Sequence, residues 1–156
     1  MKIEAPDFEA VLKALREESD GESTAAEAPE EIARCRGWVV FIISHENVNP
    51  DQITRDLGLE PDRIFYSNPL ENQTGQWQLN SALNADETIE AHLWNILTRL
   101  APIHRKLWKI SEIFNLEFHC TIQKTAGAME PFVLPARLLL LIGYIGASIE
   151  IEVMES

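Results

Sequence analysis

The run WVVFIIS at residues 38–44 constrains the fold of this chain more than any other stretch. Its first six residues are apolar, and all six are β-branched or aromatic, the types that favour strands. Successive side chains of a strand point to opposite faces, so an apolar run without alternation indicates a strand covered on both sides. The two sets are Val39, Phe41 and Ile43 on one face, and Trp38, Val40 and Ile42 on the other.

Three further segments alternate between apolar and polar residues: GQWQLNS (75–81), NLEFHCTIQ (115–123) and ASIEIEV (147–153). Trp77, Leu79 and the isoleucines and valine of the last segment fall on apolar faces. One apolar and one polar face per strand is typical of an antiparallel or mixed sheet with helices packed on a single side.

Helical spacing separates these strands at about 50–57, 86–100, 102–114 and 135–146. Asn84 and Glu87 are placed as a capping box for the second of these helices. With a short strand at DRIFYS (62–67), the order β-α-β-β-α-α-β-α-β predicts an α+β fold. We expect a two-layer open-faced sandwich, mostly antiparallel, with a ferredoxin-like start and an added C-terminal helix and strand.

The chain has 156 residues, which favours one domain with a sizeable core. Residues 1–36 differ from the rest and predict an acidic N-terminal helix followed by a linker. The apolar positions of that helix are Phe8, Val11, Leu12 and Leu15. Residues 37–156 predict a single α/β sandwich domain.

The net charge is −12, from 13 basic and 25 acidic residues. Nucleic acid and anionic lipid repel such a chain, so we expect neither nucleic acid nor membrane as a partner. The longest uncharged apolar run, 138–149, is shorter than the roughly 20 residues that cross a bilayer. The two cysteines, Cys35 and Cys120, form no CxxC motif or other spaced set of metal ligands. Together with the lack of a signal peptide, this indicates a cytoplasmic protein.

Four quoted motifs carry a resemblance: PDQITRDLGLEP, TGQWQLNS, IHRKLWKI and GASIEIEV. Together they resemble a family of small bacterial proteins known as domain of unknown function 4279, over residues of about 37–154. The resemblance implies an α/β sandwich domain. It implies no established activity, cofactor or catalytic residue.

The sequence lacks the common motifs of catalytic and nucleotide-binding sites. His119 and Cys120 are neighbours on a strand, so their side chains leave opposite faces and form no dyad. Glu150 and Glu152 share a strand face and could bind a cation weakly, but a solvated face without a neighbouring histidine is favoured. We predict no catalytic residue, no cofactor and no metal site, which favours a non-enzyme.

The apolar outer flank of the first strand conflicts with the polar faces of the other strands. Such a stripe on an open sheet is a candidate interaction surface. Its predicted members are Trp38, Val40, Ile42, Gln78 and His119. The favoured alternative is that the N-terminal helix folds back and covers the stripe with its own apolar residues.

A basic segment interrupts the acidic chain and forms a candidate anion patch. Its members are Arg99, Arg105, Lys106, Trp108 and Lys109. An ordinary solvated helix face explains the same residues. The helix PARLLLLIGYIG is apolar almost all round, so either it lies between the other helices or it forms a dimer seam.

These observations favour a non-catalytic protein-interaction module, with an inhibitor or immunity-type protein as an example. Its partner is an unknown protein or a second copy of the chain in a homodimer. The alternative is a ligand-binding or enzymatic domain with a pocket near loop 67–75 and Trp77. Such a domain requires a concave site with perturbed ionisable groups.

Overall fold

The computed structural model describes Lys13, residues 36–124 and residues 132–155. Lys13 lies in a helix. The apolar positions of the predicted N-terminal helix, and the acidic linker after it, lie outside the described residues. Whether that helix covers the sheet therefore stays a prediction.

Five strands form one mixed sheet within the described ranges. They are β1 (Arg36–His45), β2 (Arg63–Phe65), β3 (Gly75–Asn80), β4 (Asn115–Lys124) and β5 (Ala147–Glu155). Their spatial order is β2-β3-β1-β4-β5, and neighbours run antiparallel except β4 and β5, which are parallel. The strand with the continuous apolar run therefore lies at the centre, and β2 and β5 are the edges.

The helices connect the strands in the predicted order. They are α1 (Pro50–Leu57), α2 (Ile89–Leu100), α3 (His104–Ser111) and α4 (Ala136–Tyr144). A 3₁₀ turn at Ala101–Ile103 separates α2 from α3. Pro102 lies in this turn, where its missing N–H and fixed φ end one helix and allow the next to begin.

One face of the sheet is buried beneath the helices. Val39, Phe41 and Ile43 of β1 are at most 1% exposed, and the apolar residues of β3 and β4 on the same face are also buried. The apolar faces of α1, α2 and α4 belong to the same core. The predicted α+β two-layer sandwich is confirmed, and its sheet is mixed because β5 runs parallel to β4.

The second half of β5 differs from the prediction. Ile151 and Val153 were expected in the core, yet they are 40% and 44% exposed. Ile149, two residues earlier, is half-buried and packs against the core. β5 is an edge strand, and the helical layer leaves its last residues partly uncovered.

Helix α4 is apolar on a surface that the fold leaves open. Its inner residues Leu138, Leu141 and Ile142 are buried, whereas Leu139 and Leu140 are 43% and 60% exposed. Of the two alternatives for this helix, the one that encloses it between the other helices is therefore wrong. The dimer seam stays a prediction.

The start of α2 also differs from the predicted capping box. The helix begins at Ile89, and its cap is Thr88, whose side chain accepts a hydrogen bond from the Ala91 N–H. Asn84 and Glu87 belong to the preceding turn. Thr88 meets the same chemical requirement as the predicted cap, four residues closer to the helix.

Helix α1 is short because both of its ends are specified. The Asn49 side chain accepts from the Asp51 N–H, and Pro50 occupies the first turn. At the other end Gly58 adopts a left-handed φ of 66°, and its N–H bonds to the Thr54 carbonyl. Glycine takes this conformation without strain, whereas a side chain disfavours it.

We predict that Gly58→Ala lowers the free energy of unfolding by about 1 kcal/mol, because alanine is disfavoured at positive φ. A methyl group there would contact nothing within 4 Å, so the cost arises from the backbone alone. Gly143→Ala is the control: this glycine is helical and equally unobstructed. Urea unfolding should show no loss of stability for Gly143→Ala, and equal effects of the two changes would contradict the account.

A hydrogen bond between the half-buried Ser81 and the buried His92 fastens the loop before α2 to the helix itself. Ser81 Oγ lies 2.6 Å from His92 Nδ1, and it accepts the Leu83 N–H at 3.3 Å. His92 is fully buried, and its Nε2 has no hydrogen-bond partner among the described residues. Burial lowers the pKa of His92, and the nearby carbonyl of Asn84 offsets only part of the effect.

This pair predicts that stability falls in mild acid. The folded state disfavours the imidazolium, so the unfolded chain binds more protons just below its pKa of about 6.5. The contribution of neutral His92 to the free energy of unfolding is therefore complete above that pH. It is lost as the pH falls, with a slope of at most about 1.4 kcal/mol per pH unit.

Urea unfolding of wild type and His92→Phe between pH 7.5 and 5 measures this slope. The variant should show a flatter profile than wild type. A His92→Phe profile parallel to that of wild type would show that another group causes the decline.

Candidate functional site

The face of the sheet opposite the helices gathers the predicted interaction residues. In β1, Ile42 lies opposite Gln78 of β3, and Val40 lies opposite His119 of β4. Directly opposed residues in an antiparallel pair project from the same face. Trp38 shares this face by the alternation of β1. All five predicted residues therefore lie together on what we term the open face.

The centre of the open face is apolar. We define the apolar stripe as Trp38, Val40 and Ile42. Trp38 is 38% exposed, and the other two are half-buried. The neighbours on β3 are polar, with Gln76 and Gln78 joined by a side-chain hydrogen bond of 2.7 Å. An apolar centre with a polar border results.

On the side towards β5, the stripe meets an acid–histidine cluster, defined as Glu117, His119, Glu150 and Glu152. His119 Nε2 lies 3.2 Å from a Glu152 oxygen, and Nδ1 lies 3.5 Å and 3.9 Å from oxygens of Glu117 and Glu150. One imidazole therefore contacts three carboxylates.

The parallel pairing of β4 and β5 creates this cluster. His119 is in register with Glu150, and Thr121 with Glu152. Alternation alone places Glu117 and His119 on the polar face of β4, and the two glutamates of β5 on its polar face. The sequence does not show that β5 lies beside β4, so the expectation that no histidine lies near Glu150 and Glu152 is wrong.

Electrostatics in the cluster favour added positive charge. Partial burial raises the pKa of the Glu117 carboxyl, the neighbouring Glu150 raises it further, and His119 opposes both. A carboxyl with a raised pKa resists ionisation in its present surroundings. A cation brought to this position would relieve the crowding of carboxylates.

Three members of the cluster could hold a metal ion. Glu117, His119 and Glu150 each offer one ligand atom, and these atoms lie within 4.8 Å of one another. One nitrogen and two oxygens suit a divalent ion such as Zn²⁺. The same atoms also satisfy one another by hydrogen bonding and ion pairing, so the geometry permits a metal without requiring one.

The predicted anion patch is divided by the structure. The Arg99 guanidinium donates to the Asn80 carbonyl at 2.8 Å, which ties α2 to the end of β3. The remaining members all lie on α3, where Trp108 is 50% exposed and the three basic residues are also exposed. These members are Arg105, Lys106, Trp108 and Lys109.

A cleft of about 330 Å³ lies between α1 and α3. Ile53, Ile110 and Phe114 contribute its apolar wall, and Asp56 and Lys109 contribute charge. This is not the pocket that the sequence predicted.

Trp77 cannot line a surface pocket. It is fully buried, and its indole N–H donates to Thr54 Oγ1 at 3.1 Å. The alternation of β3 predicted Trp77 on an apolar face, and that face is the one buried beneath the helices.

Nucleophilic chemistry has little support among the described side chains. Cys120 is fully buried, and burial raises the pKa of its thiol to about 12. A thiol of that pKa is not a nucleophile at neutral pH. Within residues 36–124 and 132–155, no side chain bonds to His92 Nε2, so the Ser81 and His92 pair has no third group there to orient the ring.

Comparison with known proteins agrees with the resemblance seen in the motifs. Residues 33–155 match the family described as Domain of unknown function (DUF4279). No curated protein and no solved structure gives a significant match. No helix in the described ranges is both long and apolar enough to cross a bilayer. The match spans most of the sequence, and the chain belongs to the DUF4279 family.

Proposed function

We propose that this chain is a non-catalytic protein-interaction module that binds a basic protein through the open face. The observation that carries the proposal is the apolar stripe. β1 lies at the centre of the sheet, yet its outer flank exposes Trp38 to solvent beside the half-buried Val40 and Ile42. A central strand with an accessible tryptophan offers a surface that a partner can dehydrate.

The arrangement resembles the centre and rim of a protein interface. Interface centres are enriched in aromatic side chains, and a polar rim surrounds them. Burying an aliphatic side chain contributes about 1.5–3 kcal/mol. Tryptophan is among the residues that most often dominate binding energy. Trp38 is therefore the expected anchor, with Val40 and Ile42 beside it.

Charge selects the kind of partner. The acid–histidine cluster lies directly beside the stripe, and the whole chain carries a net charge of −12. Complementary charge accelerates association and suppresses wrong partners. Basic proteins fit both features, whereas nucleic acid, anionic lipid and a second acidic copy are disfavoured. A cytoplasmic inhibitor or immunity-type protein for a basic target has these properties.

The alternative is a small-ligand-binding domain, and the cleft between α1 and α3 favours it. Its volume of about 330 Å³ lies at the lower end of the range for ligand sites. Lys109 brings a member of the predicted anion patch to its wall. A small acidic molecule with an apolar body would match this lining.

The proposal predicts that Trp38→Ala combined with Ile42→Thr strongly weakens binding of the partner. Threonine keeps a β-branched side chain in the strand, so the fold should persist. The test is affinity capture from native cytoplasm, followed by binding measurements with the purified partner. We expect a basic protein to be recovered in stoichiometric amount, and its affinity to fall at least about 30-fold in the variant.

Leu70→Ser combined with Leu83→Ser is the matched control, since it removes exposed apolar side chains from connecting segments outside the strands. Capture should be unchanged in this variant. Recovery that is equal in both variants would contradict the proposal. A bound acidic metabolite that is lost with Lys109→Ala would instead support the alternative.

A further inference from the structure

The outer edge of β5 is an acceptor for an additional strand. Among the described residues β5 pairs only with β4, so one side of its backbone has no strand neighbour. An open edge presents unpaired N–H and C=O groups that an extended segment can bind. At nine residues, β5 is long for an edge strand.

The side chains of β5 specify what can pair there. On the open face, Glu150 and Glu152 contact His119 but remain 62% and 55% exposed in their side chains. On the helix face, Ile151 and Val153 are exposed as described above. An incoming strand therefore meets acid on one side and apolar surface on the other, at every second residue.

Helix α4 also carries exposed apolar side chains. It packs on β5, and Leu139 and Leu140 are exposed on it. Cross-strand neighbours on one face stabilise a sheet when they are apolar pairs or opposite charges. The complementary strand alternates basic residues towards the open face with apolar residues towards the helices.

A second copy of the chain fits poorly in the register that pairs all nine residues of β5. In a twofold antiparallel pairing centred on Ile151, Glu150 of each copy would lie opposite Glu152 of the other. Like charges directly opposite one another destabilise strand pairing. The same carboxylates that oppose self-pairing favour a basic segment.

We infer that the edge of β5 binds an extended segment of alternating basic and apolar residues by strand addition. This inference shares Glu150 and Glu152 with the proposed function, but it rests on the edge of β5 rather than on the apolar stripe, so loss of the edge and loss of the stripe are distinguishable. The segment becomes a sixth strand beside β5, with lysine or arginine over Glu150 and Glu152.

The test uses the full chain and two labelled peptides of identical composition, KVKVKVKVK and KKKKKVVVV. Binding is followed by fluorescence anisotropy at two salt concentrations, and the site by hydrogen exchange with mass spectrometry. The alternating peptide should bind at least about tenfold more tightly than the blocked one. It should slow amide exchange within 147–155 and leave 75–80 unchanged.

Matched charge reversals separate the edge from the net charge. Glu150→Lys with Glu152→Lys should weaken binding of the alternating peptide at least about tenfold. Glu60→Lys with Glu71→Lys makes the same change in net charge at exposed positions outside β5, and should weaken binding less than about threefold. The isosteric pair Glu150→Gln and Glu152→Gln should produce an intermediate loss, which keeps the test valid if the lysine pair unfolds.

Three results would overturn the inference. They are equal binding of the two peptides, equal weakening by the two charge reversals, and unchanged exchange within 147–155 when peptide is bound. Each would show that attraction to an acidic protein, rather than pairing with β5, accounts for any binding.

Discussion

The position of β1 between β3 and β4 determines the rest of this structure. Its inner flank forms the centre of the core. There the centroid of the Phe41 ring lies 5.1 Å from that of Phe118, and 6.5 Å from that of Trp77 in an edge-on contact. Aromatic contacts of this kind stabilise beyond simple burial of area. Because both neighbours are antiparallel to β1, its register also fixes which side chains border the apolar stripe.

The open face is consequently asymmetric in charge. Gln76 and Gln78 border the stripe on the β3 side, and the acid–histidine cluster borders it on the β4 and β5 side. A partner with one basic and one neutral flank would bind in a single orientation. The raised pKa of Glu117 points in the same direction, since basic side chains would stabilise its ionised form.

Local patterns predicted the elements, and non-local pairing determined the site. The alternation in β3 and β4 assigned Trp77 and Phe118 to the core because a strand has a strict period of two. The contact between His119 and Glu150 joins residues about thirty positions apart in the chain, and no local period encodes that register. For Ile151, alternation predicted its face, but not how far the helical layer extends.

The central claim is that the outer flank of β1 is accessible in the free protein. Hydroxyl-radical footprinting with mass spectrometry tests it directly, because the chain carries its own standards. Trp108 is 50% exposed and Trp77 is fully buried, while Trp38 is 38% exposed. The account predicts oxidation of Trp38 at a rate close to that of Trp108, with Trp77 at background. Protection of Trp38 to the level of Trp77 would show that the chain covers its own stripe and would contradict the account.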